Sequence, residues 1–307
     1  MTDYAACLAV CVCVCFGCFA FSLHRAGMKP VAALVALPLC VVLGAVFAKL
    51  FYVLLLASSQ FPRFGWGAFL RTEPRSFSVV GGCAGVLAGV MLTARLTRQQ
   101  THATLDAFAP TGALLLGAVR FCEGFLGTLG YGASLDAGAL LARFPFAVQN
   151  KYDEWYAAVY ILEGCIALAA AVYGLTKRRR VEHPFEHCLF FLALTQIFCE
   201  SLRSQGMMWG FVHVEQVLCA AAVFLMMAAT CRRLSGKLTA WTRYRPCVAT
   251  LAAIAMLVGV EFAKAKANSA FLAQWSWVLM AVILAGLFML KQRLMRLSTP
   301  ATENRTI

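Results

Sequence analysis

Apolar runs bounded by charged or turn-forming residues follow one another along the chain. Most of these runs approach the roughly 20 residues that a helix needs to cross the hydrocarbon core of a bilayer. The second run is long enough to tilt or break, and the third is short and rich in glycine. The pattern predicts an all-α fold, a polytopic membrane helical bundle with about nine transmembrane helices. The predicted spans are 4–22, 30–57, 78–94, 107–130, 155–175, 186–203, 211–231, 247–263 and 271–290.

The composition agrees with insertion into a membrane. Of the 307 residues, 61% are hydrophobic and only 13% are charged, whereas soluble domains contain about 45–50% apolar residues. The formal net charge of +13 lies in short clusters between the apolar runs. It therefore indicates membrane topology and not binding to nucleic acid. A disordered chain, a collagen-like repeat and an ordinary soluble enzyme are excluded.

Lysine and arginine residues are distributed unequally between alternate connections. One set of connections carries 17 of them, including the run Lys177–Arg180, and the other set carries eight. Because cytoplasmic connections carry the excess of positive charge, the predicted topology has the N-terminus outside and the C-terminus inside. Asp3, with no lysine or arginine beside it, precedes the first apolar run. We therefore expect this run to remain as a span and not to be a cleaved signal peptide.

Fourteen cysteines are present, and nearly all of them fall within the apolar runs. Cys7, Cys11, Cys15 and Cys18 follow a spacing that places them on one face of the first helix. Small residues let membrane helices approach closely, so we expect these cysteines to be reduced packing residues. A single stripe without a histidine nearby offers only part of a metal-binding shell. No metal site is predicted.

Ionisable residues within the predicted spans are candidate site residues, because each charge in a bilayer costs roughly 2.5–3.5 kcal/mol on insertion scales. With the predicted topology they converge on the outer leaflet and predict a polar cavity there. They are Lys49 with Tyr52, Arg120, Glu123, Glu163, Glu200, Arg203, His213 and Glu215, and the polar but uncharged Gln216 lies beside them. Asp106, at the inner start of the fourth span, is the exception. Its position before a helix favours an interaction with the helix dipole.

Two opposite charges can meet on one helix face at each of two places. Arg120 with Glu123, and Glu200 with Arg203, are three residues apart, so each pair can neutralise itself. An arginine open to the cavity would present a donor fork suited to phosphate, and a phospholipid headgroup is the phosphate at that depth. Both interpretations, internal ion pairing and binding of a phosphate, stay open. His213 is either a general base or an interfacial residue.

Several segments resemble, in order, the motifs of the prolipoprotein diacylglyceryl transferase family. The motifs and their matches are SFHGG with residues 76–82, the signature GRxGNFxNxExxG with residues 117–124, LYE with residues 160–163, VExxR with residues 199–203, and GQ with residues 215–216. The resemblance covers about residues 30–233. The seven-span, N-terminus-out arrangement of the family is similar to the first seven predicted spans.

The resemblance implies a membrane transferase of lipoprotein biosynthesis. Members of this family move the diacylglyceryl group of phosphatidylglycerol to the thiol of a lipobox cysteine in a prolipoprotein and release glycerol phosphate. The implied partners are phosphatidylglycerol, the precursor peptide and membrane lipids, and no cofactor is implied. The implied location is a bacterial plasma membrane, with the active site toward the outer leaflet.

The resemblance implies that Arg120 holds the phospholipid headgroup and that Glu163, Glu200 and Arg203 shape the cavity. The reaction also needs a base for the thiol, for which Glu123, Glu200 and His213 are candidates. The predicted catalytic residues are Arg120, Glu123, Glu200 and Arg203. The predicted substrate-binding residues are Arg120, Glu163, Gln216, His213, Lys49 and Tyr52.

Four positions depart from the family pattern and keep other functions open. Glu123 stands where the signature has an asparagine, and Thr128 stands where it has a glutamate. Val80 stands where the motif has a histidine, and Gln196 stands where an arginine is expected four residues before Glu200. A catalytically inactive relative that binds phospholipid or lipoprotein precursor is therefore an alternative. A transporter is a further alternative, because buried charges can line a pathway. Against it, the ionisable residues lie toward one side and no duplicated half is apparent.

The span pattern divides the chain into two predicted parts. Residues 1–235 are predicted to form a seven-span transferase-like membrane domain. Residues 236–307 are predicted to form two additional transmembrane helices and a short basic cytoplasmic tail. Within this extension, Glu261 lies close in sequence to Lys264 and Lys266. These three residues predict a simple ion pair near the outer interface, and the two helices could support packing or a partner.

Overall fold

A computed structural model describes residues 2–71, 73, 76–135, 142–177, 183–203, 206–234, 240–266 and 270–298. Within these residues, nine helices are long and apolar enough to cross a membrane, which confirms the predicted polytopic helical membrane bundle. The eight-residue α3 is the helix that is too short to do so. The helices are α1 (Thr2–Arg25), α2 (Val31–Leu55), α3 (Ala57–Phe64), α4 (Val79–Leu96), α5 (Thr101–Cys122), α6 (Val159–Lys177), α7 (Pro184–Leu202), α8 (Val214–Arg233), α9 (Ala240–Ala265) and α10 (Ala270–Ser298).

The helices differ in their bounds from the predicted spans, and the differences are largest for α2, α5, α9 and α10. Helix α9 begins at Ala240, seven residues before its predicted span. The predicted run 30–57 is divided, because α2 ends at Leu55 and α3 begins at Ala57. The span predicted at 107–130 begins six residues earlier, at Thr101, and ends as an α-helix at Cys122. A tighter helical segment, Glu123–Leu129, continues it as far as a kink at Gly127, whose φ of 61° only glycine adopts readily. The last helix continues to Ser298.

Lys291, which belongs to the larger set of basic residues in the topology prediction, does not lie in a connection between helices. The residue lies inside α10 and is fully buried. Its Nζ donates hydrogen bonds to Thr230 Oγ1 at 2.5 Å and to Met226 O at 3.4 Å, both on α8. A lysine ammonium can be buried when its donors find acceptors. Hydropathy along the chain does not reveal acceptors on another helix.

The chain divides into two compact units. The first comprises Met1–Leu192 and Leu202–Met207, and the second comprises Ala193–Ser201 and Met208–Ile307. Helix α7 thus contributes to both units. The boundary predicted between residues 235 and 236 stays a prediction. Arg178, Arg179, Arg180, Lys237 and Arg305, which entered the topology prediction, lie outside the described residues.

In the first unit, α2 and α4 bring their backbones close together. A Cβ atom at Gly85 of α4 would lie 2.2 Å from the Leu43 carbonyl oxygen, and one at Gly89 would lie 2.8 Å from Cys40 Sγ. Only residues without a side chain allow this approach. The glycine-rich third span is therefore a complete 18-residue helix whose glycines form its contact face.

Asp106 acts on a different helix from the one predicted. Because α5 begins at Thr101, Asp106 lies within that helix and not before it. Its Oδ1 accepts a hydrogen bond of 3.1 Å from the backbone N–H of Phe185, the second residue of α7. The first N–H groups of a helix have no partner inside the helix, and the dipole favours a negative charge there. The predicted dipole interaction therefore occurs, but at α7.

Two small sheets were not predicted. In the first unit, β1 (Ser134–Leu135), β2 (Ala147–Gln149) and β3 (Trp155–Ala157) form an antiparallel sheet in the order β1-β3-β2. In the second unit, β4 (Met208–Trp209) and β5 (Val212–His213) pair as a hairpin directly before α8. Strands of two or three residues are too short to produce an alternating hydrophobic pattern.

Candidate functional site

Four charged side chains of the first unit form a closed cluster, which we call the arginine–glutamate cluster: Arg120, Glu123, Glu163 and Arg203. Arg120 Nη1 lies 2.6 Å from Glu123 Oε1, and Arg120 Nε lies 2.7 Å from Glu163 Oε2. Arg203 Nη2 lies 3.0 Å from Glu123 Oε2 and 2.5 Å from Glu163 Oε2. Each carboxylate therefore contacts both arginines.

The ends of neighbouring elements supply these side chains. Arg120 lies in the last turn of α5, and Glu123 begins the tighter helical segment that follows. Glu163 lies near the start of α6, and Arg203 follows the end of α7. Arg120 is only 1% exposed and Glu163 only 5%. Arg120 and Glu123 form the ion pair that was one of the two interpretations left open.

The cluster balances its own charge. Two guanidinium groups face two carboxylates, so a buried region of low dielectric holds no net charge from these groups. Such a cluster is costly to desolvate, and each charge relies on its partners. Among the described residues, Glu163 Oε1 is buried and accepts no hydrogen bond. This oxygen is an acceptor available to a donor from a ligand.

Backbone pairing holds Arg203 in place. Gly132 and Arg203 form an antiparallel bridge, and the Ala133 N–H donates to Leu202 O at 3.0 Å. A Cβ atom at Gly132 would lie 2.4 Å from Val159 Cγ2 and 2.7 Å from Leu202 O. Glycine is therefore required at this position. Sequence reasoning did not identify Gly132, because the requirement comes from segments far apart in the chain.

Lys49 fastens the segment that precedes α4. Its Nζ donates to Arg71 O at 2.5 Å and to Ser76 Oγ at 2.9 Å. The same atom lies 5.0 Å from the ring centroid of Phe77 and 5.5 Å from that of Tyr52. These contacts give Lys49 a structural role. The substrate-binding role predicted for Lys49 and Tyr52 stays a prediction.

The segment that resembles SFHGG forms the start of α4. Ser78 is the N-cap residue, and its Oγ accepts a hydrogen bond of 3.0 Å from the Gly81 N–H. Val80 is the second residue of the helix. A valine side chain carries no exchangeable proton. The side chain at position 80 therefore cannot take part in proton transfer.

In the second unit, Glu200 lies between an amide and an imidazole. Gln196 Nε2 donates to Glu200 Oε1 at 2.7 Å, and His213 Nδ1 lies 3.9 Å from Glu200 Oε2. Both Glu200 and His213 are buried. Gln196 thus supplies a neutral donor to this carboxylate at the position where the family motif has an arginine. The pairing predicted between Glu200 and Arg203 stays a prediction.

Gln216 connects three elements of the second unit. Its Oε1 accepts from the His213 N–H at 3.4 Å, at the N-cap of α8. Its Nε2 donates to Ile197 O at 3.0 Å and to Glu261 Oε1 of α9 at 2.9 Å. Glu215 beside it is buried as well. The predicted site residue Gln216 is therefore held in part by α9, a helix that the family resemblance does not cover.

The ion pair predicted between Glu261 and Lys264 is confirmed, but it is more than an isolated surface pair. Lys264 Nζ lies 2.6 Å from Glu261 Oε2 and donates to Ser201 Oγ at 2.6 Å. Glu261 is only 3% exposed. Its two oxygens thus join Gln216 to Lys264. The signal in the sequence was a carboxylate inside an apolar helix.

An apolar cavity of about 410 Å³ lies in the first unit, between α1, α2, α4, α5 and α7. Along α5 its lining runs from Phe108 to Val119, a rise of about 16 Å for a helix. Ala48 and Val119, which immediately precede Lys49 and Arg120, line one end of it. The length and apolar lining fit a hydrocarbon chain that has its polar end near the arginine–glutamate cluster.

Apolar spanning helices, an apolar cavity and a buried cluster of charges together define a multi-pass membrane protein with a buried polar site. The sequence profile of the family described as prolipoprotein diacylglyceryl transferase matches residues 1–232. The chain belongs to this family, which consists of transferases of lipoprotein biosynthesis. No curated protein matches the chain. The matched region ends just before the last residue of α8, so α9 and α10 lie outside it.

Proposed function

We propose that this protein transfers the diacylglyceryl group of phosphatidylglycerol to the thiol of a lipobox cysteine in a prolipoprotein. The buried arginine–glutamate cluster, whose Arg120 directly follows the cavity-lining Val119, is the observation that carries the proposal. A phospholipid combines an anionic phosphate with long acyl chains, and this arrangement offers cations beside an apolar space. Membership of the family supports the same reaction.

The headgroup would be recognised through both arginines and one carboxylate. The guanidinium groups of Arg120 and Arg203 match the geometry of a phosphate, so an entering phosphate would exchange with a carboxylate that they now contact. Glu163 Oε1 accepts no hydrogen bond among the described residues. A buried acceptor without a donor costs about 1–3 kcal/mol. A hydroxyl of the glycerol headgroup would remove this cost.

The reaction forms a carbon–sulfur bond and breaks a carbon–oxygen bond. The lipobox sulfur attacks the diacylglyceryl carbon that is bonded to the phosphate oxygen. Glycerol phosphate leaves with the electron pair of that bond, and the thiol proton passes to a base. Cations positioned beside the departing phosphate stabilise its developing charge. Arg120 and Arg203 are the residues that we assign to this role, with Glu123 and Glu163 holding them.

His213, oriented by Glu200, is the base that we propose for the thiol. An imidazole exchanges its proton near neutral pH, and a carboxylate partner is the usual means of orienting it. The separation of 3.9 Å between His213 Nδ1 and Glu200 Oε2 is an ion-pair distance that can tighten when substrate binds. Glu123 is less suited, because its two oxygens already contact both arginines.

We place the site toward the outer leaflet of a bacterial plasma membrane. The unequal distribution of lysine and arginine supports an N-terminus outside. With that topology α5 ends, and α6 begins, on the outer side, where Arg120 and Glu163 lie near the helix ends. A secreted prolipoprotein would meet the site from the same side.

Complementation tests the proposal directly. A bacterium depleted of its own diacylglyceryl transferase would express this chain, and mass spectrometry would analyse a reporter lipobox cysteine. We expect a diacylglyceryl thioether with the unchanged chain and with Arg95→Ala, whose arginine is exposed near the end of α4. Arg120→Ala should abolish the product. If the unchanged chain inserts well and yields no thioether, the transfer reaction is wrong.

A catalytically inactive relative is the second candidate function. It is favoured by Val80 at the start of α4 and by the contacts that the two glutamates already make with Arg120 and Arg203. Binding of phosphatidylglycerol from vesicles, dependent on Arg120 and without any thioether product, would select this function. Vesicles of phosphatidylcholine alone serve as the comparison.

A further inference from the structure

Three thiols from two helices converge in the first unit. Cys7 and Cys11 lie one turn apart on α1, and Cys122 is the last residue of α5. Their Sγ atoms all lie within 4.8 Å of one another. The Sγ atoms of Cys7 and Cys122 are 3.2 Å apart. The cysteine stripe on α1 therefore finds, on α5, the additional ligand that a single helix cannot provide.

We propose that Cys7, Cys11 and Cys122 bind a soft closed-shell metal ion, represented by Cu(I), through three thiolates. Soft thiolate ligands favour Cu(I), Zn²⁺ and iron–sulfur clusters, and iron–sulfur clusters are usually held by four cysteines. Structural zinc sites almost always have four ligands, whereas Cu(I) also accepts three. With metal–sulfur bonds of about 2.3 Å, three sulfurs around one ion lie about 4 Å apart. The observed spacing needs only small side-chain rotations to reach this geometry.

The surroundings of the three thiols provide a route for the ion. Cys7 and Cys11 are partly exposed, whereas Cys122 is buried. An ion that arrives at the face of α1 would meet two accessible sulfurs and complete its coordination with the buried one. Cys122 directly precedes Glu123 of the arginine–glutamate cluster. A bound ion would thus tie the beginning of α1 to the end of α5 beside that cluster.

Binding releases protons and moves no electrons. Each S–H bond breaks as a sulfur–metal bond forms, and three protons pass to water. The ion enters and remains as Cu(I). Affinity should therefore rise with pH. A disulfide between Cys7 and Cys122 would use only two of the thiols and would need an oxidant, so it is a competing outcome that the experiment must separate.

The test uses the full chain, purified in detergent with its thiols reduced. Cu(I) is supplied as a complex with a chromogenic chelator, and transfer to the protein gives the affinity. We expect Cys11→Ala to weaken the tightest site at least about tenfold, because even a change around a ligand costs about 10- to 100-fold. Cys13→Ala, an exposed cysteine on the same helix, is the matched control and should leave the affinity unchanged.

X-ray absorption counts the ligands. Three sulfurs around copper in the unchanged chain, and fewer in Cys11→Ala, are expected. Equal affinity in Cys11→Ala and Cys13→Ala would overturn the proposal, since the chain has 14 cysteines and only the difference between variants identifies this site. Coordination of copper by only two sulfurs would overturn it as well. So would a chain that forms a Cys7–Cys122 disulfide and, once this disulfide is reduced, binds no copper. None of these measurements depends on transferase activity.

Discussion

At the residue scale, the arginine–glutamate cluster is distinguished by shared partners. Arg120 and Arg203 each contact both Glu123 and Glu163. Removing one member leaves another buried charge without one of its partners, and breaking a buried pair costs about 3–5 kcal/mol. The cluster should therefore behave as one unit when its members are substituted.

A double-mutant cycle with Glu123→Gln and Arg203→Gln measures this coupling. We expect each single variant to lower the free energy of unfolding, and the double variant to lower it by less than the two effects added together. Residues in one ionic network typically couple by 0.5–3 kcal/mol. Unfolding in detergent, followed by circular dichroism, gives the four free energies. Strict additivity would contradict the shared cluster.

His213 supplies the second prediction at this scale. If it takes the thiol proton, His213→Gln should reduce thioether formation by about 10²- to 10⁴-fold, the usual contribution of a general base. The amount of inserted protein should stay the same. His102→Gln, an exposed histidine in the first turn of α5, is the control. Equal product from His213→Gln and the control would remove His213 from the chemistry.

At the scale of elements, the contact between α2 and α4 depends on glycine. A Cβ at Gly85 would lie only 2.2 Å from the Leu43 carbonyl oxygen, so a methyl group must push the two helices apart. Overpacking of this kind costs about 1–3 kcal/mol. The structural effect of a glycine in a membrane helix therefore depends on the neighbour that it faces.

Gly85→Ala should therefore lower the unfolding temperature and the amount of folded protein. Gly17→Ala on α1 is its control, because a Cβ there would meet nothing within 4 Å. Thermal unfolding followed by gel filtration in detergent compares the two variants. A Gly85→Ala protein as stable as Gly17→Ala would show that the helices can separate without cost.

The contact between α9 and α8 gives a second prediction at the scale of elements. Glu261 of α9 accepts from Gln216 of α8 and pairs with Lys264. Glu261→Ala removes the shared acceptor, and we expect it to cost about 1–3 kcal/mol of unfolding free energy. Lys266→Ala, an exposed position beyond α9, should change it by less than about 0.5 kcal/mol. Both variants are measured by unfolding in detergent. Equal effects would contradict the stabilising role of the Glu261 contacts.

At the scale of the whole molecule, the distribution of charge along the chain predicts its orientation. Reporter fusions measure it. A phosphatase that is active only outside the cytoplasm should be active when fused after Tyr152, between β2 and β3. It should be inactive when fused after Arg98, between α4 and α5. The opposite result at either fusion would contradict the N-terminus-out topology and the outer-leaflet site that follows from it.

The apolar runs made the membrane fold predictable, because crossing a bilayer is a local requirement on about 20 consecutive residues. The Arg120–Glu123 pair was predictable for the same reason, since residues three apart share a helix face. The motif order pointed to the family. The small sheets were not predictable from these patterns, because their strands have only two or three residues. The end of the α-helical part of α5 at Cys122 was not predictable either, because the apolar run continues beyond it.

What the sequence determined by itself was the series of spanning helices, their charged ends and the family to which the chain belongs. Tertiary structure decided which charges meet. Arg203 joins Glu163 across 40 positions, Glu261 joins Gln216 across 45, and Cys122 joins Cys7 across 115. These partners lie on different helices or, for Arg203, directly after one, and the rotation and depth of each helix are set by packing. A span can be recognised from its own residues, but a site between helices exists only after the helices pack.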